Sequence, residues 1–483
     1  MASDMDLDAR KGRADEAVAS HATRSEPDFQ QLSPMAPPFE PPSRQSLLLP
    51  PHSPIEKVAI AVEVCLKPSS SACHDEITSA VERLLAKRSL TYMDGPVVLK
   101  EGDDPFLCDN VQSICICDTG NEESADGLGN DTVLLFWQVT LNIFVYQFND
   151  EGPGEELDDS EGIPNFQDWI LPAKEFDGLW ESLIFDTTLK RRLIRYAEVA
   201  LLFSETAVNP NMISWNRVIL LHGPPGTGKT SLCRAIAQKL SIRLNKRYGE
   251  AQLVEINAHS LFSKWFSESG KMVTKLFQKI HSFVEEGDTL IFLLLDEVES
   301  LASARHAALS GSEPSDSIRV VNALLTQLDK LKAFPNVIVL TTSNVTGAID
   351  IAFVDRADIK AFVGLPSLWA RYEILRSCIK ELIRVGLLST AWEGSEDLIL
   401  EFTRIDRMNC CIFSSGAPLN VLASKLLLET AQKTEGLSCR ALRKLPFLAY
   451  TMLRNVSKVD LLKYLECMEA AAKKEMTEIS ELK

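Results

Sequence analysis

Gly223, Pro224, Pro225, Gly226, Thr227, Gly228, Lys229 and Thr230 stand between an apolar run, Val218 to Leu221, and a helical pattern that Ser231 helps to open. That is the G-x-x-x-x-G-K-[ST] spacing in a strand, loop, helix context, and no other stretch constrains the chain as tightly. Glycines at these positions let backbone N–H groups turn inward around phosphate oxygens, and the following helix adds the positive end of its dipole. The loop is therefore expected to bind ATP, with Lys229 on the β- and γ-phosphates and the Thr230 hydroxyl on Mg²⁺. A glycine-rich turn without a ligand is the plain alternative.

The strands around this loop predict its scaffold. Val218 to Leu221, Leu253 to Ile256, Leu290 to Leu295, Val337 to Leu340 and Ala361 to Leu365 are near-continuous apolar runs separated by amphipathic helical patterns. A parallel sheet covered on both faces requires such runs, and the helices between them supply the crossovers.

Two of these runs end in polar residues suited to phosphate chemistry. The strand from Leu290 closes on Asp296 and Glu297, an expensive place for charge without a cation. Asp296 can complete the Mg²⁺ shell and Glu297 can orient and activate the attacking water. Binding alone does not need Glu297, so its presence predicts hydrolysis. The strand from Val337 ends at Asn344, whose amide can hold that water against the γ-phosphate. Either feature alone could be an ordinary strand terminus or turn residue.

A chain of 483 residues exceeds one ordinary core, and three folded units are expected. Residues 1–55 place eight prolines between Pro34 and Pro54 and read as a disordered Pro-rich tail. From 56 to 150 a small α+β domain is expected, with Val58 to Leu66 a strand, Ile77 to Leu85 a helix and Val139 to Ile143 a half-buried strand. Residues 151–170 are acidic and aperiodic and read as a linker. The ATPase domain proper spans 171–366, and helical patterns fill a lid over 367–483, interrupted by the turn-rich insert Asp406 to Pro418, to which no role is assigned.

A net charge of −17 argues against holding nucleic acid by phosphate neutralisation. The longest apolar stretch, Val133 to Tyr146, is interrupted by Gln138, Thr140 and Asn142 and is too short for a membrane span. Eleven scattered cysteines without metal-ligand spacing suit buried thiols in a reducing compartment.

The spacing of the loop, the Asp-Glu strand and the Asn-ending strand resembles the AAA+ ATPase module. The phrases from Trp215 to Cys233, from His259 to Lys271 and from Phe353 to Ile359 are similar to those of the pachytene checkpoint protein 2 family, also called the thyroid receptor-interacting protein 13 family. Similarity runs from about 56 to 480. The resemblance implies an α/β fold: an AAA+ P-loop core with a parallel sheet, a C-terminal helical lid, and a small N-terminal α+β domain that binds substrate or adaptor.

It further implies a homo-oligomeric ring, a hexamer, with ATP between subunits and an arginine finger from the neighbour. Arg356 matches that finger, with a surface arginine paired with Asp355 or Asp358 as the alternative. Arg440, which Ser438 would place on the first turn of a capped helix, matches the lid arginine that senses nucleotide. This chain has Cys439 where the family usually has glycine, a costly change only if the position requires positive φ. Lys264, Trp265 and Phe266 match a substrate-gripping pore loop, and Trp265 could alternatively extend the apolar stripe of Met272, Leu276, Ile280 and Phe283.

By resemblance the partners are HORMA-domain proteins and a HORMA-type adaptor, remodelled in meiosis and the spindle checkpoint, and the location is the nucleus and chromosomes, with a cytoplasmic pool also open. The alternative is a nucleic-acid-dependent AAA+ ATPase of clamp-loader or helicase type.

Overall fold

The computed structural model describes residues 57–88, 94–100, 102–119, 139–157, 164–185, 188–206, 208–209, 211–258, 269–285, 287–301, 316–345, 349–389, 398–409, 418–453 and 459–481. The tail expected over 1–55 lies outside them, as does most of the 406–418 insert.

The N-terminal unit begins with β1 (Val58–Leu66) and α1 (His74–Arg88). It continues through β2 (Gly95–Pro96), α2 (Pro105–Asn110), β3 (Val111–Cys117) and β4 (Val139–Tyr146). The sheet order is β2-β3-β1-β4, with β1 antiparallel to β3 and parallel to β4. Ile77, Val81 and Leu85 of α1 meet Ile60, Val62 and Val64 of β1 and Ile143 and Val145 of β4 in one core. The expected α+β pattern is present, because three- and four-residue spacing on α1 gives it a single apolar stripe.

The larger unit is built on a seven-stranded sheet. Its strands are β5 (Gly154–Leu157), β6 (Pro164–Leu171), β7 (Val218–His222), β8 (Glu250–Asn257), β9 (Thr289–Asp296), β10 (Val337–Ser343) and β11 (Ile359–Phe362), in the order β11-β7-β10-β9-β8-β6-β5. From β11 to β8 all neighbours are parallel, and β6 and β5 extend that edge antiparallel.

This corrects the reading of 151–170 as a linker. Within it, Gly154–Leu157 and Pro164–Leu171 pair antiparallel at the edge of the larger sheet, making that sheet mixed. Antiparallel pairing to β8 needs only backbone groups, and three side chains, Phe166, Trp169 and Leu171, bury on the sheet's two faces. Neither requirement produces a long periodic signal.

Helices cover both faces. On one lie α3 (Leu179–Ser182), α4 (Leu189–Glu205) and α5 (Lys229–Arg243). On the other lie α6 (Ser269–Glu285) and α7 (Asp316–Leu331). Along β9, Leu290, Phe292 and Leu294 enter the first core while Ile291, Leu293 and Leu295 enter the second, which is why the run reads as continuously apolar. A short α8 (Ile351–Val354) leads into β11.

The lid comprises α9 (Leu368–Arg384), α10 (Phe402–Asn409), α11 (Leu419–Lys433), α12 (Cys439–Thr451) and α13 (Leu461–Glu481) around its own core. Its only strands among the described residues are the two-residue pair β12 (Leu388–Ser389) and β13 (Val459–Asp460).

Candidate nucleotide site

Backbone geometry shapes the loop first. Gly223 has φ 146°, and a Cβ there would run into the Val363 carbonyl oxygen. Gly226 has φ 75°, and a Cβ there would stand 2.9 Å from the Ser438 hydroxyl and 3.2 Å from Cβ of Arg440. The first glycine thus lets the loop pass under β11, and the second lets the lid approach it. Gly228, at φ 94°, turns the chain into α5.

Lys229, the first residue of α5, is 4% exposed. Its ammonium donates to the carbonyl oxygens of Gly223 at 2.9 Å and Pro224 at 2.8 Å, so the side chain lies back across the loop. Burial lowers its pKa below the usual lysine value, the carboxylates of Glu299 and Asp296 oppose that, and Arg440 adds to it. A desolvated ammonium held only by neutral carbonyls is suited to receive an anion.

Thr230 donates its hydroxyl to Oδ1 of Asp296 at 2.9 Å, and the Thr342 hydroxyl donates to the same oxygen. A hydroxyl and a carboxylate converging where the loop meets β9 make a hard oxygen donor set that fits Mg²⁺. Thr342 is a residue that sequence reasoning missed; the polar Thr341, Thr342 and Ser343 closing the apolar run of β10 were the available signal.

Glu297 follows with φ 60°, a left-handed conformation uncommon for a residue with a side chain. Its N–H is tied to the Thr342 hydroxyl at 3.3 Å, and the next N–H, of Val298, to the Thr342 carbonyl at 2.9 Å. Asn344 stands one residue beyond β10 and donates its backbone N–H to the Glu299 carboxylate at 3.2 Å. Glu297 and Asn344 therefore sit at the ends of adjacent parallel strands, beside Asp296 and opposite the loop.

The lid reaches the site through α12. Ser438 caps this helix by accepting from the N–H of Ala441 at 3.3 Å, and Arg440 donates its backbone N–H to the Gly226 carbonyl at 3.0 Å. Cys439 is the first residue of α12 and is not among the positive-φ residues, so the departure from glycine imposes no strain.

Arg356 does not pair with Asp355 or Asp358. Its guanidinium makes a two-pronged contact with Asp329 on α7, at 3.0 and 2.7 Å. Asp358 instead accepts from Tyr196 and Asn216. Lys264, Trp265 and Phe266 lie outside the described residues.

Comparisons with known proteins agree with this architecture. A family model for the AAA ATPases associated with various cellular activities matches residues 219–365. A TRIP13 N-terminal domain model matches 55–151, and a TRIP13-like AAA+ ATPase lid C-terminal domain model matches 367–476. The chain is 59% identical over 426 residues to the pachytene checkpoint protein 2 homolog of Arabidopsis thaliana, covering 87% of this chain and 89% of that one. It is 44% identical over 429 residues to the homolog of Homo sapiens, covering 88% and 95%. The solved structure of C. elegans PCH-2 matches with a TM-score of 0.70 and 35% identity, covering 87% of this chain and 100% of that one.

Proposed function

Because the chain belongs to the pachytene checkpoint protein 2 family of AAA+ ATPases and is an ATP-hydrolysing enzyme, we propose that it spends ATP on conformational remodelling of HORMA-domain proteins. In this reading a hexameric ring, with a HORMA-type adaptor, draws a terminal substrate segment into its pore. It acts in the nucleus and on chromosomes, in meiotic axis control and the spindle checkpoint.

The observation that supports the reading best is the convergence of three elements on one loop. The P-loop, the ends of β9 and β10, and the first turn of lid helix α12 meet within hydrogen-bonding distance. A site touched by both sheet and lid can turn nucleotide state into lid movement.

The proposed roles follow from position. Lys229 would leave the Gly223 and Pro224 carbonyls for the β- and γ-phosphates. Thr230 and Asp296 would hold Mg²⁺, which neutralises charge on the phosphates. Glu297 would orient the attacking water and take its proton, and the Asn344 amide would fix the water's second side. Arg356 would leave Asp329 to reach the γ-phosphate of the neighbouring subunit, and Arg440 would report that phosphate to the lid. Lys264, Trp265 and Phe266 would grip the substrate.

The test is ATP turnover with and without a closed HORMA-domain protein and its adaptor, following substrate conformation in the same sample. Open substrate should accumulate only with hydrolysable ATP, and Glu297→Gln should bind ATP yet produce none. Substrate that stays closed, or turnover stimulated by DNA instead, would overturn the remodelling reading.

A further inference from the structure

The chain reverses direction just after Asp296. Glu297 has φ 60°, Ser300 donates both its backbone N–H and its hydroxyl back to the Glu297 carbonyl, at 3.1 and 2.8 Å, and Glu299 begins a helical turn. A left-handed conformation at a residue with a Cβ persists only where its surroundings hold it, and such residues cluster at functional sites.

The neighbouring strand ends at the same level. Asn344 lies beyond the last rung of β10, so its N–H has no partner in the sheet ladder. Glu299 Oε1 accepts it at 3.2 Å. Two sets of bonds therefore join the ends of β9 and β10: Thr342 to the N–H groups of Glu297 and Val298, and Glu299 to that of Asn344.

We propose that Glu299 is a positioning residue for ATP hydrolysis, fixing the Asn344 backbone so that its amide and the Glu297 carboxylate address the same water. The proposal rests on the reading of Glu297 and Asn344 as the hydrolytic pair. No role on the phosphates is assigned to Glu299, since a third carboxylate beside Asp296 and Glu297 would oppose ATP binding. Its work is done through the acceptor oxygen rather than through its charge, although that charge also lies near Lys229.

The two properties separate experimentally. Glu299→Gln keeps an acceptor oxygen at the same reach and loses the charge, whereas Glu299→Asp keeps the charge and is one methylene short. Glu299→Ala loses both. In full-length protein, Glu299→Ala is expected to lower kcat for ATP about tenfold, near the upper weight of one ordinary hydrogen bond. KM should stay within about twofold, because the loss is in water placement and not in nucleotide binding. Glu299→Gln should recover most of the rate and Glu299→Asp should not; this pair decides the matter even if the alanine variant fails to fold.

Glu299→Ala should also add no more than about twofold to the defect of Asn344→Ala, since both act on one group. An unchanged kcat in Glu299→Ala overturns the proposal, as does a glutamine variant as slow as alanine, an aspartate variant with full activity, or full multiplication of the two defects. Failure of the underlying pair is distinguishable: Glu297→Gln and Asn344→Ala would then themselves keep normal turnover.

Discussion

Helix α5 carries a buried lysine near each end, and they do opposite work. Lys229 and Lys239 are 4% and 3% exposed. The Lys229 ammonium rests on two neutral carbonyls, and burial leaves its pKa lowered. Lys239 contacts the Glu63 carboxylate of β1 at 2.5 Å, with the Cys117 thiol at 3.7 Å. Burial pushes its pKa down too, but the charge of Glu63 and its hydrogen bond outweigh that and leave it raised. One turn further on, Arg243 pairs with Asp118 at 2.7 Å and approaches Glu63 at 3.5 Å. The far end of the nucleotide helix is thus an ionic mooring for the N-terminal unit. Burial of a cation does not by itself mark a ligand site; Lys229 is marked by the phosphate-binding loop that it lies across.

The largest effect should come from the uncompensated lysine. Lys229→Ala should weaken nucleotide binding by about two orders of magnitude, because charge-assisted bonds to phosphate are lost, and should abolish turnover. Its melting temperature should not fall, since the change removes a desolvated cation. Nucleotide titration and thermal melting read both outcomes; near-normal affinity, or a large loss of stability, breaks the contrast between the two lysines.

The compensated lysine should give the reverse pattern. Glu63→Gln leaves Lys239 buried beside a neutral amide and should cost about 3–5 kcal/mol, seen as a lower melting temperature. Turnover of the folded fraction should change little. The double variant Glu63→Leu/Lys239→Met should recover much of the stability, as hydrophobic replacement of a buried pair commonly does. A loss of ATP affinity in Glu63→Gln matching that of Lys229→Ala would show that the two ends of α5 are not separable.

The same distinction explains what the sequence could reveal. Phosphate chemistry demands fixed residue types at fixed spacing, so Gly223 to Thr230, Asp296 and Asn344 stood out, as did the strands and lid helices whose apolar periods bury them. Glu63 lies within a strand that was legible, but its partner is 176 residues away and only the fold unites them. Thr342 and Glu299 act by holding backbone and carboxylate groups, work open to several polar residue types at no set spacing. The β5–β6 pair joins the sheet edge by backbone pairing, which an acidic composition conceals. Asp329 escaped notice because Arg356 had closer acidic neighbours in the chain.

Arg356 is the intermediate case, and its effect should be the smallest. Its partner Asp329 is a carboxylate, as Glu63 is for Lys239, but the side chains are 26% and 41% exposed. Hydrogen bonding to Arg356 holds the Asp329 carboxyl below its usual range. Water screens such a pair, which is worth about 0.2–1 kcal/mol, so it can be exchanged for a phosphate where the buried Lys239 pair cannot. If Arg356 crosses to a neighbouring subunit, Asp329→Asn removes a competitor and should raise turnover, by at most about fivefold from that energy, while hardly altering the melting temperature. Arg356→Ala should abolish the gain. Turnover measured at a fixed protein concentration decides it: a rate unmoved by Asp329→Asn would mean that the pair does not restrain the arginine, and a large drop in melting temperature would place Arg356 with Lys239, among the charges that hold the fold.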